Sequence, residues 1–600
     1  MKLFATIIDV AKMLTWLSGT FFDDACKRYL KANAFWTFFM KTADLAEPWC
    51  LGAMIAALAK NDTRSLWLAF AGIAVAHFLR SVFDWRGSRA RELFIGQAIR
   101  YLDRGINQRF FEKDLGLHLE EHKLLSQASM EKGRGRAETL SGLINWWLLE
   151  TSISLVMTFV VLCIISPMCA LITFATVLVS VITSTIMNHA LIPEADKVDV
   201  TYRKIIGQRD ERWNGIERVA TSNKIKEEIE SMDDQFKEMI KSDRRVWLGF
   251  IDKGMLRNSI TAVGLLAVIA YALQQTSLGA MNIPDFVAIA SWTMIVIGQT
   301  HTLATLERQI TWCIPSLRSM RQALELQPRV LESTNPFQIP AGSDIEVEIR
   351  GVTHCYKGST APTLNDLSFT IGAGQRVALI GPSGAGKSTL VRLILRYMDP
   401  THGNIIINGH DLRNIGLSSW RKLTAYIPQR PQIFDGTLRE NLLYALGKEE
   451  AAKVTDEVLW EVVNRFRVNF GARLTHGLET VVGKEGVQLS GGEAQRVMIA
   501  AAAMKRPRFL IVDEGTASLD AESQDAVQQA LYELLKDGAT ALFIAHRLST
   551  LRHCNHYVVV TGGSSDEPQV EATAPNMEEL AKRSPTFRRL AELEGVNLGA

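Results

Sequence analysis

A chain of 600 residues is too long for one hydrophobic core and reads as at least two domains. Its 66 Lys+Arg nearly balance its 64 Asp+Glu, so no basic excess points to a nucleic-acid partner. Seven cysteines (Cys26, Cys50, Cys163, Cys169, Cys313, Cys355, Cys554) follow no metal-ligand spacing and fit reduced thiols.

Residues 1–33 read as a cytoplasmic lead-in with no apparent cleavable signal peptide. Its Phe4, Ile7, Ile8, Met13, Leu14 and Leu17 form a weak helical stripe. An interfacial helix and a helix packed on its neighbours both satisfy that stripe. Within 34–327, six stretches have the apolar length of a membrane span: 34–59, 65–83, 141–164, 168–192, 257–275 and 285–304. Two long charged connections, 84–140 and 193–256, are helical in pattern. The first carries eleven Lys and Arg residues, which places the long connections and both chain ends in the cytoplasm. They read as membrane helices extended into stems, with tips near 116–130 and 209–222.

Charges inside spans are costly and call for a reason. Lys41, Asp44 and Glu47 lie on one side of the first span, ahead of Pro48. Asn145 and Glu150 flank Trp146 and Trp147 in the third. One reading has Asp44, Glu47 and Glu150 facing a water-filled translocation cavity. The other is an internal Lys41–Asp44 pair with Glu47 capping a proline-disrupted turn. Lys41 is expected to snorkel to the interface. Trp36, Trp67 and Trp85 read as interface anchors.

Residues 328–344 lose apolar periodicity and gain prolines, as a linker does. From 345 onward the pattern is that of an α/β domain. Ile345, Val347, Ile349 and Val352 alternate as an antiparallel strand running toward Tyr356. The apolar run Arg376–Ile380 then meets Gly381-Pro382-Ser383-Gly384-Ala385-Gly386-Lys387-Ser388-Thr389, followed by a helical stretch. This fits G-x-x-x-x-G-K-[ST] between a strand and a helix, the context a P-loop requires. Its glycines let backbone N–H groups approach phosphates closely. Lys387 is positioned for the β- and γ-phosphates of ATP and the Ser388 hydroxyl for Mg²⁺. Further on come Gln429 after a strand-like run, Ser490-Gly491-Gly492-Glu493 before a helix, and an apolar strand ending in Asp513-Glu514. Asp520 follows, and a last strand ends at His546.

In this order and spacing the motifs resemble those of the ATP-binding cassette transporters, exporter type. The chain looks like a half-transporter: a six-helix all-α membrane domain fused to an α/β P-loop ATPase domain over 345–600. The resemblance implies that Tyr356 stacks on adenine and that Gln429 senses Mg²⁺ and the membrane domain. It implies that Ser490, Gly491 and Gly492 cap the γ-phosphate held by a partner subunit. Asp513 then sits in the metal's outer shell, Glu514 polarises the attacking water, His546 is the switch histidine, and Asp520 belongs to the loop crossing the dimer interface. The partner is a second copy or a related half-transporter. Three departures stand out: Glu493 where Gln is commoner, Gly515 where Ala or Pro is usual, and the reversed order Lys484-Glu485. The last implies a compensating charge arrangement at the tips of the membrane helices.

The expected function is ATP-driven export or flipping of a substrate by alternating access, from a bacterial inner membrane with the ATPase in the cytoplasm. An ATP-gated channel or regulatory membrane ATPase uses the same parts. A soluble ATPase acting on ribosomes or DNA is disfavoured by the spans. The acids in the spans favour a cationic or zwitterionic cargo.

Overall fold

The computed structural model describes residues 2–189, 192–359, 361–513, 521–536, 538–544, 551, 554–562 and 569–594. They pack as two units: Met1–Glu112 with His122–Leu326, and Lys113–Glu121 with Gln327–Ala600.

The first unit is helical. After α1 (Lys2–Phe21) and α2 (Asp24–Ala59), Asp62 accepts from the N–H groups of Arg64 and Ser65 and starts α3 (Thr63–Phe111). The chain reverses through the short α4 (Leu115–Glu120) into α5 (Gln127–Leu143), α6 (Leu149–Ile165) and α7 (Pro167–His189). It then runs down α8 (Ile192–Asn214), reverses again at α9 (Ile216–Thr221), and returns in α10 (Ile225–Ser277) and α11 (Ile283–Glu325). Helices α3, α10 and α11 have 49, 53 and 43 residues. At about 1.5 Å per residue each far exceeds a bilayer core of about 30 Å, so each joins a span to a stem. The reversals fall at 112–126 and 215–224, close to the expected tips.

Among the described residues five helices are long and apolar enough to cross a membrane: α3, α5 continued into α6, α7, α10 and α11. The remaining expected span, 34–59, lies in α2, where Lys41, Asp44 and Glu47 lower the apolarity.

Those charges are paired. Lys41 is only 8% exposed, and its ammonium lies 3.1 Å from Asp44 and 2.8 Å from Glu150 of α6. The expectation that Lys41 snorkels is therefore wrong: two carboxylates hold it inside the bundle. Asp44 also faces Arg80 of α3 at 3.1 Å, and Glu47 faces His77 at 3.4 Å. Arg91 of α3 is buried, 2.8 Å from Asp84 and 3.7 Å from Glu150, and lies over the Trp146 ring. Where α5 passes into α6, Ile144–Leu148 forms a π-helical turn. Asn33 donates to the backbone oxygen and side-chain oxygen of Asn145 there, at 2.9 and 3.1 Å, and Asn145 donates to the carbonyl of Arg91. The widened turn is thus tied to α2 and α3 by amides whose hydrogen bonds are met inside the bundle.

The second unit is built on two sheets. Strands β1 (Val347–His354), β2 (Leu364–Ile371), β4 (His402–Ile407) and β5 (His410–Asp411) form one, antiparallel, in the order β2-β1-β4-β5. The other has the order β12-β11-β3-β10-β9-β6, with β3 (Arg376–Ile380), β6 (Thr424–Ile427), β9 (Phe509–Asp513), β10 (Thr540–Ile544) and β11 (His556–Val560) parallel. Strand β12 (Val570–Ala574) closes it antiparallel. A two-stranded ribbon pairs β7 (Gly436–Thr437) with β8 (Val481–Val482). The parallel strands are apolar throughout because both faces are covered. Ala378, Leu510 and Phe543 pack into a core on one side, and Val377, Ile511 and Leu542 into a core on the other. The stretch 328–344 packs on this unit: Val330 and Ile339 are buried, and Arg396 donates to the Leu331 carbonyl at 2.9 Å.

Replacing Lys41 by Met leaves two carboxylates facing each other without their shared cation. Thermal unfolding in detergent should show a loss on the order of 3–5 kcal/mol, partly recovered when Glu150→Gln is added. Equal stability of Lys41→Met and wild type would contradict the pairing.

Candidate functional site

In a parallel sheet, ligands bind beyond the carboxyl ends of the strands. Register brings four such ends together. Ile544 of β10 sits opposite Leu379 of β3 and Asp513 of β9, and Ile427 of β6 sits opposite Val512. The P-loop leaves β3 at this edge. Asp513 ends β9, and Gln429, exposed, follows β6 by two residues. Glu514, Asp520 and His546 lie outside the described residues; in sequence Glu514 is next after Asp513, the last residue of β9, and His546 is two positions after Ile544, the last of β10.

The loop turns into the helix Lys387–Ile394 at Gly386, whose φ of +83° only glycine adopts readily. Lys387 is buried, and its ammonium donates to the carbonyls of Gly381 at 2.7 Å and Pro382 at 2.9 Å. Pro382, Ser383, Gly384 and Ser388 are exposed, whereas Ala385 and Thr389 are buried. Gln569, fully buried, donates to the Ala385 carbonyl and braces the loop from β12's side. Asp513 accepts from the Tyr426 hydroxyl at 3.2 Å. Burial first, and then the Asp513 charge, push that hydroxyl up in pKa, so it stays a donor.

Tyr356 stands beside the loop. Its hydroxyl lies 3.1 Å from the Thr389 hydroxyl and accepts from Arg392 at 3.0 Å, and its ring meets His354 edge-on. Ser490 caps the helix Gly491–Met504 in a reciprocal box: the Glu493 N–H donates to its hydroxyl, and its own N–H donates to the Glu493 carboxylate. Ser490 and Gly491 are exposed and Gly492 is buried.

Two family models match the chain in succession: the ABC transporter transmembrane region over residues 32–300 and the ABC transporter model over 364–517. The chain belongs to the ABC transporters. It is 34% identical over 326 residues to an ATP-dependent lipid A-core flippase of Syntrophus aciditrophicus (strain SB), covering 54% of this chain and 52% of that protein. It is 36% identical over 326 residues to a multidrug resistance ABC transporter ATP-binding and permease protein of Lactococcus lactis, covering 54% and 53%. The matched region thus spans about half the length of these curated relatives. A solved bacterial Atm1-family ABC exporter with ATP bound superposes with a TM-score of 0.83 over 96% of this chain and 100% of that one. At 22% identity this shows a shared fold. The protein is an integral membrane protein of the exporter type with a fused ATP-binding domain.

Sequence reasoning missed how this transporter's first tip is held. The segment Lys113–Glu121, between α3 and α5, belongs to the ATP-binding unit. The Gly116 N–H donates to the Tyr397 carbonyl at 3.0 Å, and a Cβ on Gly116 would fall 2.6 Å from that oxygen. Asp114 caps α4 through Leu117 N–H and accepts from Arg329 N–H at 2.7 Å. Glu120 pairs with Arg329, and Glu121 pairs at 2.7 Å with Lys357, the neighbour of Tyr356. The Lys357 hydrogen bond holds the Glu121 carboxyl below the usual carboxylate range.

In the membrane unit, Asp44 and Glu47 line a cavity of about 420 Å³ together with Lys41, Arg80, Ser154, Thr158 and Gln299. Glu150 is not among its lining residues; it is turned to Lys41 and Arg91. Two bases, Lys41 and Arg80, therefore stand with two acids, Asp44 and Glu47, around the cavity.

The Glu493 departure has a local explanation. Arg473 reaches both carboxylate oxygens, at 2.7 and 2.8 Å. Burial alone would raise the Glu493 pKa, but the Ser490 N–H and the Arg473 charge outweigh it and hold the carboxyl below its ordinary value. A depressed carboxyl stabilises above its unfolded pKa and loses that contribution as pH falls through its folded one. Glu493→Gln should therefore unfold more easily at pH 7.5, by about 1–2 kcal/mol, with the gap closing below about pH 4. A gap independent of pH in thermal unfolding would contradict this.

Proposed function

We propose that two copies of this chain, or this chain and a related half-transporter, form an ATP-hydrolysing exporter or flippase that moves an amphiphilic substrate across the membrane. One observation carries the reading. The segment joining two long membrane-unit helices is built into the ATP-binding unit, one residue from Tyr356 through the Glu121–Lys357 pair. A change at the nucleotide edge then has a covalent path to the span helices.

Each chain offers one P-loop and one Ser490-Gly491-Gly492 helix start. Exposed N–H groups at that start suit a phosphate, and Ser490 bonds within its own helix rather than to the P-loop. A second chain facing the first supplies each site with its missing half. Lys387 is poised to exchange the Gly381 and Pro382 carbonyls for phosphate oxygens, and Tyr356 offers its ring to the adenine. The donor set fits Mg²⁺: the exposed Ser388 hydroxyl and the Gln429 amide offer hard oxygen atoms, with the Asp513 carboxylate for the outer shell. When bound, the ion neutralises charge on the β- and γ-phosphates. Glu514, next after Asp513, orients and deprotonates the attacking water, and His546 and Asp520 complete the site across the dimer. Closure of the two ATP-binding units switches the cavity from cytoplasm-facing to outward-facing, and hydrolysis resets it. The positive charge of the stem 84–140 supports a cytoplasmic ATPase in a bacterial inner membrane.

ATPase activity of the purified protein in lipid vesicles tests this. Wild type should hydrolyse ATP, and Glu514→Gln should lose about 10²-fold or more while still binding ATP. Hydrolysis by Glu514→Gln within twofold of wild type would overturn the assignment of the base, and an inactive wild type would overturn the self-sufficient pair.

A further inference from the structure

We infer that Arg473 is a positioning residue for ATP: it neutralises Glu493 and so lets the helix start at Ser490 receive the γ-phosphate held by a partner subunit. The inference rests on the two-chain ATPase proposed for this protein and deepens it by naming what conditions the second half of each site.

Two anions compete for one helix start. The N-terminus of Gly491–Met504 attracts negative charge, and Glu493, in its first turn, answers that attraction from within the chain. One carboxylate oxygen of Glu493 accepts from the Ser490 N–H at 2.8 Å. The N–H groups of Gly491 and Gly492 meet no acceptor among the described residues and are the ones left for a phosphate. A bare carboxylate within one turn of them repels that phosphate. The Glu493 side chain is only 16% exposed, so water screens it poorly.

Arg473 removes the conflict. One terminal nitrogen of its guanidinium lies 2.7 and 2.8 Å from the two Glu493 oxygens, and the other donates to the Gln488 carbonyl. A single side chain thus cancels the acid's charge and ties the strand of chain entering at Gln488 to the first turn of the helix. The fold fixes where Arg473 stands. Its turn, Gly471–Arg473, lies between Phe470 and Leu474, which pack on the same core as Val497, Ile499 and Ala500 of that helix. With its charge matched, Glu493 caps the helix without closing it to a second anion. The guanidinium does not need to touch the nucleotide; it acts through the carboxylate.

The test uses the full-length chain in lipid vesicles and reads two quantities, the ATP concentration that half-saturates hydrolysis and the inhibition of hydrolysis by ADP. ADP lacks the γ-phosphate, so it reports the P-loop side of the site alone. In Arg473→Met, half-saturating ATP should rise about tenfold while ADP inhibition moves by less than about twofold, the scale of one unscreened like charge felt by the γ-phosphate only. Adding Glu493→Gln should bring half-saturating ATP back to within about twofold of wild type, although that double variant has no bridge at all. Raising the salt from about 0.05 M to about 0.5 M should narrow the Arg473→Met defect. Arg473→Gln, uncharged but still able to donate, should behave as Arg473→Met does, and Arg473→Lys should lie between it and wild type. The comparison of ATP with ADP is internal to each preparation, so poor folding of one variant does not mask it. Half-saturating ATP unchanged in both Arg473→Met and Arg473→Gln overturns the inference. An equal defect in Arg473→Met and the double variant also overturns it, because the bridge is then a structural contact only. An equal shift for ATP and ADP does the same. Each of these, with wild type hydrolysing ATP, leaves the two-chain ATPase standing; no hydrolysis by wild type in any condition overturns both.

Discussion

Lys387 binds the carbonyls of its own loop, and that contact sets the terms for the rest of the molecule. A buried ammonium needs acceptors. Here the loop supplies them from Gly381 and Pro382, which preforms the cradle and keeps the cation at the mouth of the sheet. The loop can do so because β3 is central, flanked by β10 and β11 and packed on both faces. Gln569 and Tyr356 brace it from outside the strand. The ATP-binding unit is thus a rigid edge on which a small number of side chains wait for phosphate.

The membrane unit solves a different electrostatic problem. Six charged side chains, Lys41, Asp44, Arg80, Asp84, Arg91 and Glu150, form a chain of contacts across α2, α3 and α6. Sharing each charge among partners reduces the cost of holding it away from water. The network ends at the cavity, where Arg80 faces Asp44 at 3.1 Å.

How much was legible in the sequence follows from what each feature depends on. The P-loop was legible because its backbone geometry dictates residue types at fixed spacing. So were the strands, since parallel strands covered on both faces leave continuous apolar runs. Charges in the spans announced themselves by their cost, but their partners did not. Arg80 and Arg91 are 36 and 59 positions from Asp44 and Glu150, and only the packing of α3 on α2 and α6 brings them together. Tyr426, Arg392 and Gln569 carry no local signature, because each acts through contacts made across the fold. The attachment of Lys113–Glu121 to the ATP-binding unit rests on contacts to Arg329, Lys357 and Tyr397, far along the chain, which a local sequence pattern does not display. Glu514, Asp520 and His546 lie beyond the described residues, and their roles rest on motif and chain position.

The central claim is that nucleotide at the sheet edge is felt by the segment that continues into the membrane helices. Amide hydrogen exchange of the Glu514→Gln protein in lipid, with and without ATP, tests it most directly. ATP should slow exchange in the P-loop and also in Lys113–Glu121, where the Gly116 amide bonds to the Tyr397 carbonyl and Glu121 pairs with Lys357. Protection of the P-loop with no change in Lys113–Glu121 would contradict it.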